Sequence, residues 1–422
     1  MTFRLLHTSD WHLGQYFYGK SRAKEHKAFL SWLLEQVDSL ALDAIVVAGD
    51  IFDTSTPPSY ARELYFNFIS QLNALECKLI IIAGNHDSAA MLSESQQLLK
   101  QVDCTVIATP SDNIQHQIVV VESSRTKSKA AFGVIPYLRP QDIARSEAKQ
   151  SAKDKQSNLQ KAIADHYQEI FTHAKSQVNN ETPIILTGHL TTVGVTKTDS
   201  VRDIYIGTLE AFPASAFPEA DYIALGHIHQ NQIIARKEHI RYSGSPIPLS
   251  FDEAKQVKKV NVVTFEQGNL TDVSLIDVPC FQPLLMIKTN IDSVNDDVEM
   301  AVEQWFNENT KASKADFEGQ FWLDIELDTG DYIEGITPLI KRLTEDFPVD
   351  ILLVRRAKKE RARMLEQVNT RTLSELTAKD VFSARMALED WESEALQSRQ
   401  TRLKVLFEKT LQQVQSPTEG EA

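Results

Sequence analysis

The amino-acid sequence predicts an α/β fold, in which a large domain of alternating strands and helices precedes a smaller α/β domain and C-terminal helices. Short apolar runs, rich in β-branched residues and closed by glycine or polar residues, are typical of buried strands. Amphipathic segments lie between these runs, as α/β folds require. Polar residues that carry chemistry directly follow the runs, which are Phe3–Leu6, Ala44–Val47, Leu79–Ala83, Ile184–Leu186 and Tyr222–Leu225.

Two helices are predicted between the first strands. Arg22–Leu40 carries apolar residues near helical spacing, and Pro57-Pro58-Ser59 opens a second helix, because proline suits a first helical turn. The polar segment 146–157 predicts a loop, and Gly268-Asn269 predicts a hairpin turn between two closing strands. These elements make up the first predicted domain, residues 1–279.

A second unit begins near Cys280 and has the order strand, helix, strand, helix, strand. One of its strands alternates apolar and acidic residues, as a half-buried strand does. We therefore predict a small α/β domain at 280–356 and a helical segment at 357–422. The five elements are predicted at Leu284–Lys288, after Ser293, at Phe321–Leu327, at Ile333–Phe347 and at Val349–Val354.

The C-terminal part combines a basic cluster, Arg355–Arg363, with two short amphipathic helices. The cluster has two open interpretations, a solvated linker or a contact with DNA phosphates, which needs clustered Lys and Arg but no base readout. The helices carry more apolar surface than they can bury against each other, so they must dock on the small α/β domain or on a partner. Their apolar residues are Val381, Phe382, Met386, Leu388, Trp391, Leu403, Leu406, Phe407, Leu411 and Val414.

Composition restricts the partners and the compartment. The net charge is −14 at pH 7, so no global positive field draws the chain to nucleic acid, although bound metal ions would supply positive charge locally. Cys77, Cys104 and Cys280 lack CxxC spacing and suit a reducing compartment. The first strand leads straight into a motif without a signal peptide, and no apolar stretch approaches the ~20 residues that span a bilayer. We therefore expect a cytoplasmic protein without membrane association.

The polar groups at the strand ends indicate one two-metal site. Carboxylate, imidazole and amide oxygen suit hard-to-borderline divalent ions, and a pair of such ions clamps the attacking and leaving oxygens of a phosphoryl displacement. Ligands of α/β sheets bind beyond the strand ends. A glycine precedes several of the candidates and allows a tight turn there. The candidate ligands are Asp10, His12, Asp50, Asn85, His189, His227 and His229.

Each candidate also has an ordinary interpretation when it is taken alone. Asp50, Asp53 and Asn85 would then be turn residues. A single histidine is more often a surface or core residue than a ligand. The joint pattern disfavours this interpretation, because it needs four coincidences after four strands. We retain it for the other histidines, His7, His26, His116, His166, His173 and His239.

The motifs resemble the calcineurin-like metallophosphoesterase superfamily and, within it, the SbcD family of nuclease subunits. The first resemblance rests on DWH, GD, GNHD, GH and GHIH in this order, and the second on the longer stretches 7–14, 48–53, 226–229 and 242–246. The resemblance implies two packed β-sheets flanked by helices, with the small α/β domain as a cap over the active-site cleft.

The resemblance also implies a role for each candidate ligand. Asp50 would bridge two metal ions, since a carboxylate bridges best. The other six would divide into two sets of three. One ion would be held by Asp10, His12 and His229, and the other by Asn85, His189 and His227.

Two further residues receive catalytic roles from the resemblance. His86 would not be a ligand; it would stabilise the phosphate or protonate the leaving oxygen. Asp53 falls where many phosphatase relatives carry an aspartate that orients this histidine, whereas some nuclease relatives carry a histidine there.

The implied function is a metal-dependent DNA nuclease subunit. It would act as a double-strand exonuclease and single-strand endonuclease that processes hairpins in DNA repair, replication and recombination. The implied cofactors are two divalent ions, Mn²⁺ first, with Mg²⁺ or Fe²⁺ as alternatives. The implied partners are DNA and the SbcC ATPase, in a heterotetramer. Two alternatives stay open: a small-molecule phosphoesterase with the same ligands, and a non-enzymatic scaffold, which the complete ligand set disfavours.

The resemblance further implies a twofold homodimer through helices of the first domain. An apolar stripe on the helix that begins at Ser59 offers one surface, although core packing is the default for such a stripe. The stripe consists of Ala61, Leu64, Tyr65, Phe68, Ile69 and Leu72, and the second surface of Leu92, Leu98, Leu99 and Val102.

Overall fold

The chain divides into two compact units, Met1–Arg355 and Arg356–Ala422. Within the described part, no helix combines the length and the apolar character needed to cross a membrane. The residues that the computed structural model describes are 2–143, 152–201, 211–309, 317, 319–328, 336–356, 382, 386 and 400–407.

Among the described residues, the strands form two large sheets, one small sheet and one hairpin. They are β1 (Thr2–Thr8), β2 (Tyr16–Phe17), β3 (Lys20–Ser21), β4 (Ala44–Ala48), β5 (Lys78–Ile82), β6 (Cys104–Ile107), β7 (Ile118–Glu122), β8 (Lys129–Gly133), β9 (Ile184–His189), β10 (Tyr222–Gly226), β11 (Gln232–Ile234), β12 (Lys237–Tyr242), β13 (Lys259–Glu266), β14 (Asn269–Asp277), β15 (Leu284–Thr289), β16 (Phe321–Leu327) and β17 (Val349–Arg356). The described helices of the first unit are α1 (Ala23–Ser39), α2 (Ser59–Ala74), α3 (Ala89–Glu94), α4 (Gln96–Leu99), α5 (Pro140–Ile143), α6 (Ala152–Gln177), α7 (Val294–Glu308) and α8 (Ile336–Leu343).

The first sheet has the strand order β14-β13-β1-β4-β5-β6. Strands β1, β4, β5 and β6 are parallel, and β13 runs antiparallel to β1. Because parallel strands end at one edge of a sheet, the residues after β1, β4 and β5 meet there. Asp10, Asp50 and Asn85 follow these three strands.

The second sheet has the strand order β11-β12-β10-β9-β8-β7. Strands β8, β9, β10 and β12 are parallel. His189 is the last residue of β9 and pairs in register with Gly226, the last residue of β10. His227 and His229 therefore follow at the edge where His189 lies.

The two large sheets pack face to face and helices cover their outer faces. Helices α1 and α2 pack on the first sheet, and α6 packs on the second. This confirms the predicted two-sheet sandwich flanked by helices. The buried cluster between the sheets includes Phe3, Val46 and Ile80 from the first sheet and Phe132, Ile185 and Tyr222 from the second.

A small third sheet, β15-β16-β17, forms its own core with α7 and α8. It has the predicted strand–helix order, and β15 and β16 are parallel. Its Trp322 ring stacks on Phe17 of the β2–β3 hairpin, with ring centroids 5.6 Å apart and planes at 14°. An ion pair between Lys20 and Asp350 joins the same hairpin to β17. The domain boundary predicted at residues 279–280 stays a prediction.

One open alternative is decided and one local prediction is wrong. The apolar stripe of α2 is core, its default interpretation, because Ala61, Tyr65, Phe68, Ile69 and Leu72 are buried against the first sheet within a single chain. The homodimer itself stays a prediction. The segment 146–157 is not a loop throughout, because α6 begins at Ala152.

Most of the predicted C-terminal segment lies outside the described residues, including residues 357–363 of the basic cluster. The first residue of that cluster, Arg355, pairs with the buried Asp324 of β16. In the second unit, residues 400–407 are helical, and the rings of Phe382 and Phe407 stack with centroids 3.9 Å apart.

Candidate metal centre

The strand ends of the two sheets approach each other closely, and glycines make this possible. A Cβ on Gly226 would lie 1.9 Å from the Ala48 carbonyl oxygen, so β4 and β10 meet with no room for a side chain. A Cβ on Gly84 would lie 2.2 Å from Asp50 Oδ1. Candidate ligands from both sheets therefore converge in one place.

Four of the seven candidate ligands have a left-handed backbone conformation. The φ angles are +54° at Asp10, +45° at His12, +51° at Asp50 and +97° at His227. Residues with a Cβ adopt such angles rarely, at a cost of about 1–3 kcal/mol each, and such strain clusters at functional sites. The fold thus holds these side chains in place against their local preference.

The candidate ligands form three overlapping groups, in each of which the ligand atoms lie within 4.8 Å of one another. The fold brings together all the histidine and aspartate candidates, together with His86. Asn85 lies in the same place, since its Oδ1 is 3.0 Å from His189 Nε2. The groups are Asp10, His12 and His229; His12, Asp50 and His86; and Asp50, His189 and His227.

The Asp50 carboxylate lies between the two halves of the cluster. Its Oδ2 is 3.3 Å from His189 Nε2 and 3.7 Å from His12 Nε2. Its Oδ1 accepts a hydrogen bond from the His86 backbone N–H at 2.9 Å. A single carboxylate therefore faces imidazoles from both sheets, as a bridging ligand would.

Hydrogen bonds to the outer ring nitrogens orient the histidines. His189 Nδ1 donates to the Ala48 carbonyl at 2.9 Å, which directs Nε2 toward Asp50. His12 Nδ1 lies 3.2 Å from Asp53 Oδ1 and His229 Nδ1 lies 2.6 Å from Ser200 Oγ. Such outer partners of metal-binding histidines fix the tautomer and the ring orientation.

The electrostatics of the cluster favour positive charge. Burial alone would lower the pKa of His189, but Asp50 and its hydrogen bonds raise it to about 9. The pKa of His12 is also raised, because Asp53, Asp50 and Asp10 outweigh its burial. Burial and the neighbouring His189 hold the pKa of His227 well below its usual range, so this ring is neutral. The same negative potential that attracts protons here attracts a cation, which then displaces them.

The residues present fit divalent metal ions. Among the described residues, His12 Nε2 and His227 Nε2 are buried without a hydrogen-bond partner, which is costly for a polar atom. Both belong to groups with an Asp carboxylate. Unpartnered imidazole nitrogens beside buried carboxylates are what a divalent cation requires, and no thiolate is needed.

His86 is held by its backbone and its ring. Its backbone N–H bonds to Asp50, and its Nδ1 donates to the Asp53 main-chain carbonyl at 2.8 Å. The Asp53 carboxylate contacts His12. Asp53 thus holds the His86 ring through the main chain, and a pairing through its carboxylate stays a prediction.

A polar cavity opens beside His86. Among its described lining residues, Arg139 is the one with a permanent positive charge, and Thr54, Ser55 and Ser88 add hydroxyl groups. The cavity therefore offers donors to an anionic ligand next to the candidate metal ligands.

Sequence reasoning missed residues that support this cluster. The buried carboxylate of Asp87 accepts hydrogen bonds from the backbones of Ile51, Phe52 and Gly84, and so joins two ligand loops. Burial and Asp50 raise the pKa of Asp87 to about 6. Ser9 Oγ donates to the Asp10 carboxylate. Asp87 stands in the GNHD motif, but only the fold reveals which backbone groups it reaches.

The fold and the metal-ligand cluster together define a metallophosphoesterase. The sequence profile of the calcineurin-like phosphoesterase family matches residues 3–231, more than half of the chain. The profile of the type 5 capsule protein repressor C-terminal domain matches residues 280–390.

Three curated relatives narrow this class. The chain is 48% identical to the SbcD subunit of the SbcCD nuclease of Escherichia coli K12, over 97% of this chain and 98% of the relative. It is 31% identical to the proteins of the same name from Bacillus subtilis 168 and Staphylococcus epidermidis, over 78% and 69% of this chain and 80% and 74% of those relatives. The chain belongs to the SbcD family of nuclease subunits.

Proposed function

We propose that this chain is a metal-dependent nuclease subunit that hydrolyses DNA phosphodiester bonds at a two-cation centre. It acts as a double-strand exonuclease and single-strand endonuclease, and it processes hairpins in DNA repair, replication and recombination. The observation that carries this proposal is the convergence of ligand groups from both sheets on the Asp50 carboxylate. The names of the relatives support the choice of nucleic acid as substrate.

The proposed centre holds two divalent cations. Asp50 would contact both, and the donors are nitrogen and oxygen, which suit Mn²⁺, with Mg²⁺ or Fe²⁺ as alternatives, better than Ca²⁺. When bound, the cations stabilise negative charge on the phosphodiester and acidify the attacking water. The first is held by Asp10, His12 and His229, and the second by Asn85, His189 and His227.

His86 acts on the substrate rather than on a cation. The hydrogen bond from its Nδ1 to the Asp53 carbonyl fixes the ring plane, and the ring lines the polar cavity. From there it hydrogen-bonds the phosphate or protonates the leaving oxygen. Asp53 supports two rings, His86 through its carbonyl and His12 through its carboxylate.

The polar cavity beside His86 accepts the DNA backbone. Arg139 offers a guanidinium, which binds phosphate oxygens well, and Ser55 and Ser88 offer hydroxyl donors. Contacts to phosphate position the substrate without reading its sequence. The overall charge of −14 leaves such local groups and the cations to attract DNA.

The cheapest test compares linear duplex DNA with a generic phosphate ester, each with Mn²⁺ and with EDTA. Cleavage of DNA with Mn²⁺ and not with EDTA is expected. Cleavage of the ester alone would support a small-molecule phosphoesterase instead. Cleavage of neither, by protein that is folded and binds Mn²⁺, would support a scaffold subunit.

The proposed protein partner is the SbcC ATPase, which binds through the C-terminal segment. Deleting everything after Thr370 removes apolar anchors and leaves every proposed ligand in place. Loss of SbcC in a pull-down, with unchanged Mn²⁺ binding and melting temperature, is expected, since buried aromatic anchors are each worth ~2 kcal/mol or more. Retained SbcC binding would contradict the proposal. The anchors are Phe382, Met386, Trp391, Leu403, Phe407 and Leu411.

A further inference from the structure

A buried ionic network lies behind His229, on the side away from Asp10. Its centre is Glu253, the last residue of the 3₁₀ turn Phe251–Glu253, and its side chain is fully buried. Lys258 is buried beside it. Neither residue belongs to the proposed ligand set.

Both oxygens of the Glu253 carboxylate accept hydrogen bonds. Oε2 accepts from Lys258 Nζ at 2.5 Å and from the Leu249 backbone N–H at 3.0 Å. Oε1 accepts from Ser200 Oγ and from Thr198 Oγ1, the latter at 2.8 Å. Lys258 Nζ and the Leu249 N–H can only donate, so Oε2 is an acceptor in both hydrogen bonds. The buried ammonium of Lys258 forms an ion pair with this carboxylate, so Glu253 is ionised and can only accept.

The direction of these hydrogen bonds determines the tautomer of His229. An ionised carboxylate has no proton, so the Ser200 hydroxyl donates to Glu253. The Ser200 oxygen, having given its one hydrogen, accepts from His229 Nδ1 at 2.6 Å. Nδ1 then carries the proton, and Nε2 presents its lone pair on the side of Asp10, whose Oδ1 lies 3.9 Å away.

The same network holds the main chain of His229. Lys258 Nζ donates to the His229 carbonyl at 3.1 Å, and the Ser245 backbone N–H donates to it at 3.1 Å. Glu253 thus reaches the ring through the Ser200 hydroxyl, with its own Oε1 3.6 Å from His229 Nδ1, and it reaches the carbonyl through Lys258. An ion pair that only stabilised the 3₁₀ turn would not require the hydrogen bonds that link Glu253 to His229 through the Ser200 hydroxyl.

We propose that Glu253, acting through Ser200, is a positioning residue that fixes the tautomer and ring orientation of His229 for one divalent cation. This inference rests on the proposed metal centre. Outer-shell partners of metal-binding histidines typically change metal affinity by about 10–100-fold when they are removed. Removal of the Ser200 hydroxyl should weaken binding of the cation that Asp10, His12 and His229 would hold. The affinity for the other cation should not change.

The test compares two single hydroxyl deletions, Ser200→Ala and Ser250→Ala. Both hydroxyl oxygens lie within hydrogen-bond distance of Glu253 Oε1, but Ser250 also donates to Asp252, and only the Ser200 hydroxyl contacts His229. The full-length chain is stripped with EDTA, its metal-free melting temperature is measured, and Mn²⁺ is titrated by calorimetry. Ser200→Ala is expected to bind one of two ions about 10–100-fold more weakly at an unchanged metal-free melting temperature. Ser250→Ala is expected to bind both ions as the wild type does.

Glu253→Gln tests the carboxylate itself and should weaken the same ion. It also leaves Lys258 buried against a neutral amide, so its melting temperature is expected to fall, and Ser200→Ala remains the deciding variant. Wild-type affinity for both ions in Ser200→Ala, or an equal loss in Ser250→Ala, would overturn the inference alone. Wild-type protein that binds no Mn²⁺ would overturn the proposed function, and the inference with it.

Discussion

Asp50 lies between the candidate ligands of the two sheets, so its replacement tests the proposal that this carboxylate contacts both cations. We predict that Asp50→Asn loses affinity for both Mn²⁺ ions, whereas His229→Ala loses affinity for one. The physical reason is that the Asp50 carboxylate lies near imidazoles from both sheets. Calorimetric titration of the EDTA-treated variants measures this. Normal affinity for one ion in Asp50→Asn would remove Asp50 from the bridge.

His86 is proposed to touch the substrate and not a cation. We predict that His86→Ala reduces DNA cleavage by about 10²–10⁴-fold, the usual worth of acid or electrostatic help, while both Mn²⁺ ions still bind. Cleavage rates and metal analysis of the same sample measure the two effects. An ion missing from this variant would make His86 a ligand.

His7 lies in β1 and joins the two sheets, with Nδ1 3.0 Å from the Tyr222 hydroxyl and Nε2 3.2 Å from the Leu225 carbonyl. Burial lowers the pKa of His7 to about 3. Above pH 6.5 the folded and unfolded states are both neutral at this residue. Below pH 6.5, His7 is protonated in the unfolded chain but stays neutral in the folded protein down to about pH 3. The free energy of unfolding therefore decreases as the pH is lowered through this range.

We predict that His7 lowers the free energy of unfolding by about 2 kcal/mol when the pH is lowered from 7 to 5. His7→Gln should be less stable at pH 7 but should lose about 2 kcal/mol less than the wild type between these two values. Denaturant unfolding in EDTA measures both. His116→Gln, at an exposed position, is the matched control and should keep the wild-type pH dependence. Parallel pH curves for wild type and His7→Gln would refute this account.

At the scale of elements, the meeting of β4 and β10 depends on one missing side chain. Gly226→Ala would place a Cβ 1.9 Å from the Ala48 carbonyl, so the strand ends must separate. We predict a loss of about 1–3 kcal/mol or more, as for overpacking, together with weaker Mn²⁺ binding, because ligands from both sheets flank this contact. Denaturant unfolding and titration measure the two losses.

Gly194→Ala is the control for that change. No atom lies within 4 Å of a Cβ built there, although its φ of +84° adds backbone strain of about 1 kcal/mol. Its Mn²⁺ affinity should stay that of the wild type. Unaltered stability and Mn²⁺ binding in Gly226→Ala would contradict this prediction, because they would show that the strand ends can accommodate a Cβ.

Strands β4, β5, β9 and β10, which carry candidate ligands at their ends, were predictable because they are buried on both faces. All five residues of β4 are buried, and such runs stand out in sequence as uninterrupted apolar stretches. The candidate ligands were predictable because each directly follows such a run. The fold brings these candidates together, and their individual metal roles stay predictions.

Other features depend on contacts that sequence spacing does not encode. Glu253 reaches His229 through Ser200, which comes from a different loop. The stripe on α2 has the same pattern whether it covers a sheet or a second chain, and here it covers the first sheet. The first turns of α6 could not be predicted as helical from their polar sequence, because the buried apolar positions of this helix begin only at Leu159 and Ile163.

At the scale of the whole molecule, the proposed homodimer needs a surface other than the buried stripe. Phe66 on the outer face of α2 and Leu98 on the neighbouring α4 are 42% and 69% exposed. We predict a dimer mass by light scattering at micromolar concentration, and a monomer mass for the double variant Phe66→Glu, Leu98→Glu. Met300→Glu, which changes an exposed apolar residue of α7, should stay dimeric. A monomeric wild type would count against the dimer.

The order of strands in the first sheet means that β1 is synthesised by the ribosome long before its neighbour β13. β1 is the first strand made, yet it lies inside the sheet between β4 and β13, and Thr2 pairs with Glu266. Until the ribosome has released residues 259–266, β1 has an open edge with unpaired backbone groups, which other chains can pair with. The last proposed ligand, His229, is made before that edge closes. A nascent chain therefore carries every proposed metal ligand for a time before the sheet that aligns them is complete.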